Sequence, residues 1–188
     1  MLMEYKGEVA FVVISMIAYT LFAAFDASAS FAYLALVFGV FGLGVAWKIY
    51  EYVDDHSDGN EKMVEIAESI HEGAMVFLSR EYRILAYFIG TVFFLLVIFI
   101  SMQKGLWIGF WTAIAYVIGA ACSMLAGYFG MNAATSANVR TSQAAGESGQ
   151  AKALSIAFNG GAVMGVCVAS LGLVGVGALF LFFARGES

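Results

Sequence analysis

The side chains in this sequence that could do chemistry are few and gather in short stretches. Asp54, Asp55, Asp58 and Glu61 crowd four carboxylates into eight residues, the kind of side chain that holds a hard cation. Their order departs from the D-x-D-x-D-G pattern of a calcium loop, and no closing bidentate glutamate follows, so a solvated acidic turn is expected. His56 and His71 have no partner histidine at ligand spacing, and "HEG" at His71 is not H-E-x-x-H. Both read as surface residues rather than metal ligands. Arg80, Glu81 and Arg83 stand where a polar stretch gives way to an apolar one, a position suited to lipid headgroups, with substrate contact as the other reading. Arg140 is the single arginine of "GMNAATSANVRTSQAAGESGQ" (Gly130 to Gln150) and is open to substrate binding, interfacial anchoring or a helix contact. Cys122 and Cys167 both fall inside apolar runs, with no disulfide or metal spacing. No residue is assigned a catalytic, cofactor-binding or metal-binding role.

The elements that must position these residues are membrane helices. The chain has 188 residues, 62% of them hydrophobic and 12% charged, and a mean hydropathy of +0.86; a soluble domain carries about 25% charged residues. A helix crosses a hydrocarbon core of about 30 Å with about 20 apolar residues. Five runs qualify: Val9 to Phe25, Ala27 to Trp47, Ile84 to Met102, and the charge-free stretches Gly105 to Val139 and Ala153 to Ala184. The last two exceed the membrane's needs and are expected to protrude from it on the cytoplasmic side. Barrel strands would be short alternating segments divided by turns, which these runs are not. The predicted fold is an all-α membrane protein.

Two segments are expected: residues 1–30, an apolar helix or signal-like segment, and residues 31–188, one transmembrane helical domain. In the first, Ala27-Ser28-Ala29 offers an A-x-A cleavage signature, while Glu4 and Glu8 beside Lys6 argue for an uncleaved helix. Cleavage would leave four spans. Alternating sides along the spans puts Lys6, Lys48, Lys62, Arg80, Arg83, Arg140 and Lys152 on one face, against Lys104 and Arg185 on the other. The positive-inside rule makes the first face cytoplasmic, with connecting regions 48–83 and 136–152 there and the C-terminus outside. In a prokaryote the cell membrane is the expected location.

Within residues 48–83, Asp58 followed by Glu61 resembles a capping box, and Met63, Ile66, Ala67, Ile70, Ala74, Phe77 and Leu78 recur at helical spacing. An amphipathic helix therefore leads into the third span. In the last span small residues recur about four apart, Gly161 and Gly165, then Ala169 and Leu173, with Gly172 and Gly175 nearby. Such faces let helices approach closely where lipid removes the hydrophobic drive.

Three ordered stretches carry a family resemblance. "GNEKMVEIAESIHEGAMVFLSREYRILA" (Gly59 to Ala86), "GYFGMNAATSANVRTSQAA" (Gly127 to Ala145) and "ALSIAFNGGAVMGVCVASLGLVGV" (Ala153 to Val176) resemble the membrane-integral pyrophosphatases, the pyrophosphate-energised proton or sodium pumps. The likeness runs from about Leu34 to Val176. It implies the first four helices of that family, outer-ring helices around a catalytic core, with the first span as an addition. It also implies Mg2+, and K+ or Na+, as ions of the complete pump. Arg140 ends the family's A-T-x-A-N-V-R stretch, and by resemblance lies outside the catalytic ring.

Magnesium pyrophosphate is handled by clustered carboxylates that hold the metal and lysines that hold the phosphates. Here the last aspartate is Asp58, and Glu147 is the only carboxylate between Glu81 and Glu187. The expectation is a non-catalytic piece: an N-terminal fragment or split subunit of a pyrophosphate-energised pump, or a membrane scaffold derived from one. The expected partners are the lipid bilayer and the remaining pump helices on another chain, or further copies of this one; no nucleic acid is expected.

Overall fold

The computed structural model describes residues 27–184, and side chains from 31 to 183. The first apolar run, Val9 to Phe25, lies outside the described residues, so the fifth span is not among the elements seen. Four helices follow one another: α1 (Ala27–Asp54), α2 (Glu61–Lys104), α3 (Leu106–Glu147) and α4 (Gln150–Ala184). Each is long and apolar enough to cross a membrane, and no strand occurs among the described residues. The chain is an integral membrane protein of all-α construction.

Chain order and packing order differ. α4 lies between α1 and α3, and α3 lies between α4 and α2, while α1 and α2 do not pack on each other. The bundle is thus a curved row, α1, α4, α3, α2.

The amphipathic segment and the third span are one helix rather than two. At 1.5 Å per residue the 44 residues of α2 reach about 66 Å, roughly twice a hydrocarbon core. At the same rise all four helices exceed that core, the shortest, α1, with 28 residues, reaching about 42 Å. Of the polar stretch 48–83 only residues 55–60 are non-helical, and of 136–152 only Ser148 and Gly149.

The turns are tight and each contains a glycine in a left-handed conformation. Gly105 (φ 91°) joins α2 to α3 by itself, its N–H donating to Ser101 O at 3.0 Å. Gly149 (φ 86°) follows Ser148, whose N–H donates to Ala144 O at 2.8 Å. Those φ values favour glycine because it has no Cβ to clash.

Packing along α4 relies on small side chains. Ala153, Ile156, Gly160, Val163, Cys167 and Ser170 are buried, three or four residues apart, and Gly177 is buried seven residues further on. A Cβ on Gly160 would fall 2.4 Å from Ala137 Cβ of α3, and one on Gly42 of α1 would fall 2.1 Å from Ser170 Oγ. At the far end Trp111 meets Phe182 at a tilt and Phe183 edge-on, with ring centroids 5.3 and 6.0 Å away.

Most of the small-residue face read from sequence is not the face that packs inside this bundle. Gly161, Gly165 and Gly172 have no atom within 4 Å of where a Cβ would stand, so they point away from the bundle. Of that group only Gly175 meets a neighbour, Cys122 Sγ at 3.4 Å. Both stripes of α4 are rich in small residues, and periodicity alone does not say which one a neighbour fills.

Candidate functional site

The end of the bundle where α1 stops, α2 starts and α3 meets α4 collects the chain's polar side chains. Each of the last four carbonyls of α1 has a partner there, Glu51 through the ordinary helical bond and the other three through a tighter turn or a side chain. Glu51 O accepts from Asp55 N–H at 2.9 Å and Val53 O from His56 N–H at 3.2 Å. Tyr52 O lies 2.7 Å from the His56 ring Nδ1. Asp54 O accepts from Arg140 Nε at 3.2 Å.

Arg140 thereby reaches from α3 across to the α1–α2 connection. Its Nε also donates to His56 O at 3.1 Å. Nη1 donates to Ser136 O and Ser136 Oγ, at 3.0 and 2.8 Å, one helical turn back. Nη2 donates to Asp54 Oδ1 at 2.7 Å and sits 2.9 Å from Asp58 Oδ1. The second contact is an ion pair by distance only, since Asp58 Oδ1 has no aligned hydrogen bond. The guanidinium is nearly enclosed, its side chain 11% exposed against 52% for Asp54 and 45% for Asp58.

Every nitrogen of Arg140 is engaged by protein, so its fork is not free to take a phosphate. Asp54 and Asp58 are about half exposed in this turn, and both face Arg140. The helix start differs from the sequence reading. Asn60, not Asp58, caps α2, its Oδ1 accepting from Met63 N–H at 3.0 Å, while Gly59 (φ 87°) makes the preceding bend. Asp58 is drawn off to the arginine. Asp55 and Glu61 are exposed, as are Arg80 and Arg83, with Glu81 half-buried beside them. His71 makes one polar contact across helices, its Nδ1 2.8 Å from Thr135 Oγ1 of α3. Lys152 of α4 reaches the Tyr52 hydroxyl at 3.4 Å.

Below the Arg140 cluster a cleft of about 290 Å³ opens between α2 and α3, bordered by Asp58, Glu68, His71, Glu72, Thr135 and Arg140. Its balance is acidic, with the one arginine already paired, so it repels rather than gathers a polyphosphate. Among the described residues no three His, Cys, Asp or Glu side chains come together at metal-binding distance. A larger cleft of about 470 Å³, between α1 and α3 over α4, has walls of Leu43, Trp47, Tyr50, Tyr128 and Phe129, with Asn132 as its one amide. That lining suits an apolar occupant. Cys167 is buried in the cluster with Ala46, Ala133 and Val163, and acts as a small core residue.

Residues 40–188 match the sequence family described as inorganic H+ pyrophosphatase. The chain belongs to that family. It is similar to a putative K+-stimulated pyrophosphate-energized sodium pump of Clostridium tetani, 48% identical over 137 residues that make up 73% of this chain and 19% of the relative. A K+-insensitive pyrophosphate-energized proton pump of Pyrobaculum aerophilum is 38% identical over 157 residues, 82% of this chain and 21% of that pump. A proton pump of the same description from Methanosarcina mazei is 41% identical over 129 residues, 69% of this chain and 18% of its own length. The chain thus spans about a fifth of the length of the relatives it matches.

The family match over residues 40–188 includes the Arg140 cluster. What the sequence did not reveal was the partner set, because Asp54 lies 86 residues from Arg140 and only the α1, α4, α3, α2 packing order brings them together. The sequence signals were that Arg140 is the sole arginine in a long uncharged run and that it ends the stretch resembling the family.

Proposed function

We propose that this chain is a supporting segment of a pyrophosphate-energised ion pump, supplying helices that brace the pump while hydrolysis and ion transfer are carried out elsewhere in it. The observation that carries this reading is Arg140. It is the enclosed cation of the polar end, and its Nε and Nη2 tie α1 and the α1–α2 connection to α3 while Ser136 of α3 holds its Nη1.

The residues present do not suit magnesium pyrophosphate. Hydrolysis needs carboxylates converging on metal ions and cations facing phosphate. Here the acidic cleft has no free cation at its mouth, and the described carboxylates do not converge in threes. No step of the reaction is therefore assigned to this chain. Mg2+ and any K+ or Na+ belong to the remainder of the pump, as does the choice between H+ and Na+, for which the names of the relatives differ.

The positive-inside rule puts the Arg140 end on the cytoplasmic side. The ends of α2, α3 and α4 then project into the cytoplasm, and the residues after α4 leave on the opposite side. In a bacterial or archaeal host this is the cell membrane.

Pyrophosphate hydrolysis in membranes that hold only this chain, assayed with magnesium, is expected to equal that of membranes without it. Hydrolysis above that background overturns the assignment of chemistry elsewhere. Co-purification with a polypeptide that carries lysine- and aspartate-rich helices supports the bracing role.

A further inference from the structure

The apolar cleft and the acidic cleft adjoin. Tyr50 of α1 and Asn132 of α3 border both, so the cleft of about 470 Å³ opens, at the Arg140 end, into the one of about 290 Å³. Position along α3 gives the order. His71 of α2 meets Thr135, five residues before Arg140, which sets Glu68 and Glu72 near that height. Asn132 is three residues lower, and Phe129 and Tyr128 a further turn down. An aromatic chamber therefore lies beneath a rim of carboxylates.

The chamber is open to an occupant. Trp47 is 64% exposed, and Tyr128 and Phe129 are 44% exposed. The Trp47 indole N–H is tied to Glu51 Oε1 at 2.7 Å, which leaves the ring as an apolar wall. α1 and α2 do not pack on each other, so neither closes the space between them.

Charge on the rim is one-sided. Arg140 is the one arginine there, and it is taken up by Asp54 and Asp58. Glu68 and Glu72 are exposed and pair with no described cation. A carboxylate or phosphate ligand is repelled at such a rim, and a plain hydrocarbon leaves the carboxylates without a counter-charge.

We infer that the joined clefts bind one amphiphilic organic cation, an ammonium or other onium ion on an apolar or aromatic body, taken up from the bilayer. The body lies between Trp47, Tyr128 and Phe129, and the charged head faces Glu68 and Glu72 with the Tyr50 ring beside it. The apolar cleft has a size common among small-molecule sites, about 300–1,000 Å³, and their composition, mostly apolar with a few placed polar groups. A cation held there bridges α1 and α2 and so stabilises the bundle. The site is built from this chain alone and does not rest on the pump reading.

The test is equilibrium dialysis of the purified full chain in uncharged detergent against radiolabelled tetraphenylphosphonium, and against tetraphenylborate, an anion of nearly the same size and shape. One tetraphenylphosphonium per chain is expected above the uptake of protein-free micelles, with tetraphenylborate at least about tenfold weaker. The double variant Glu68→Gln, Glu72→Gln, altered only at exposed side chains, is expected to keep its ligand-free thermal midpoint and to bind the cation about tenfold more weakly. Trp47→Ala is expected to weaken binding about threefold or more. Tetraphenylphosphonium is expected to raise the thermal midpoint of the unsubstituted chain and not that of the double variant. Equal binding of the two ions, or undiminished binding by the double variant, overturns the inference. In opened native membranes a benzophenone-bearing quaternary ammonium is expected to label α1 between Leu43 and Tyr50 or α3 between Tyr128 and Asn132, and tetraphenylphosphonium to compete it away. No labelling of these segments means that another helix or lipid fills the cleft, and overturns the inference as well.

Discussion

At the polar end of the bundle one guanidinium joins α1, the α1–α2 connection and α3 through directed bonds to two carbonyls, a serine and a carboxylate, with a second carboxylate alongside. Along the inner stripe of α4 the helices are joined with hardly a polar group, by glycine, alanine and cysteine meeting at contact distance. The first region tolerates small displacements because its acids are half-exposed and water can replace a lost partner. The second tolerates none, because backbones that touch leave no side chain free to move aside. Shape therefore holds the membrane-embedded part, and charge fixes how the chain turns at its end.

The largest effect is expected where shape acts alone. Gly42→Leu or Gly160→Leu must push α1 or α3 away from α4, costing about 3 kcal/mol or more and measurable as lost folded yield and a lower thermal midpoint in detergent. Gly161→Leu, one position further round α4, is expected to leave the midpoint of the isolated chain unchanged. Equal losses at 160 and 161 would erase the distinction between the two stripes.

Next comes Arg140→Gln, which strands the Asp54 and His56 carbonyls and both carboxylates. A loss of about 2 kcal/mol is expected, discounted for the exposure of the acids. Arg140→Lys is expected to recover only part of it, since an ammonium cannot reproduce the fork. Full recovery by lysine, read in the same unfolding assay, would reduce the cluster to a point charge.

Asn60→Ala removes the N-cap of α2 and is expected to cost about 1 kcal/mol, seen as faster amide exchange over the first turn. If Asp58 were the cap, Asp58→Ala would have that effect instead. As it is, Asp58→Asn removes only a misaligned, half-exposed ion pair and is expected to change stability by about 0.5 kcal/mol or less, an effect that fades as salt is raised.

The two regions also differ in how far they can be read from the sequence. Length and hydropathy are local properties, so the spans α1 to α4 and the turns at Gly105 and Gly149 are legible in the charge-free runs and the glycines between them. The merging of the amphipathic segment with its span is less so, because nothing at Arg80 to Arg83 tells a continuous helix from two. The phase of α4 is not legible, since Gly160 and Gly161 are equally small and only the positions of α1 and α3 choose between them. Nor is the Arg140 cluster, whose ligands are backbone carbonyls and two aspartates contributed by the far side of the bundle. The family likeness locates Arg140 within a motif, and the geometry shows that its hydrogen bonds are spent on the fold.

The account's central claim is that this chain braces a pump without touching its chemistry. The most direct test uses the host's own membranes, with the chain removed and then restored either unsubstituted or as Arg140→Lys. Pyrophosphate hydrolysis is followed there against substrate concentration. The account predicts that removal abolishes hydrolysis, and that Arg140→Lys lowers the maximal rate in step with the amount of assembled complex while KM stays put. A raised KM with undiminished assembly would contradict it, because Arg140 would then be holding pyrophosphate.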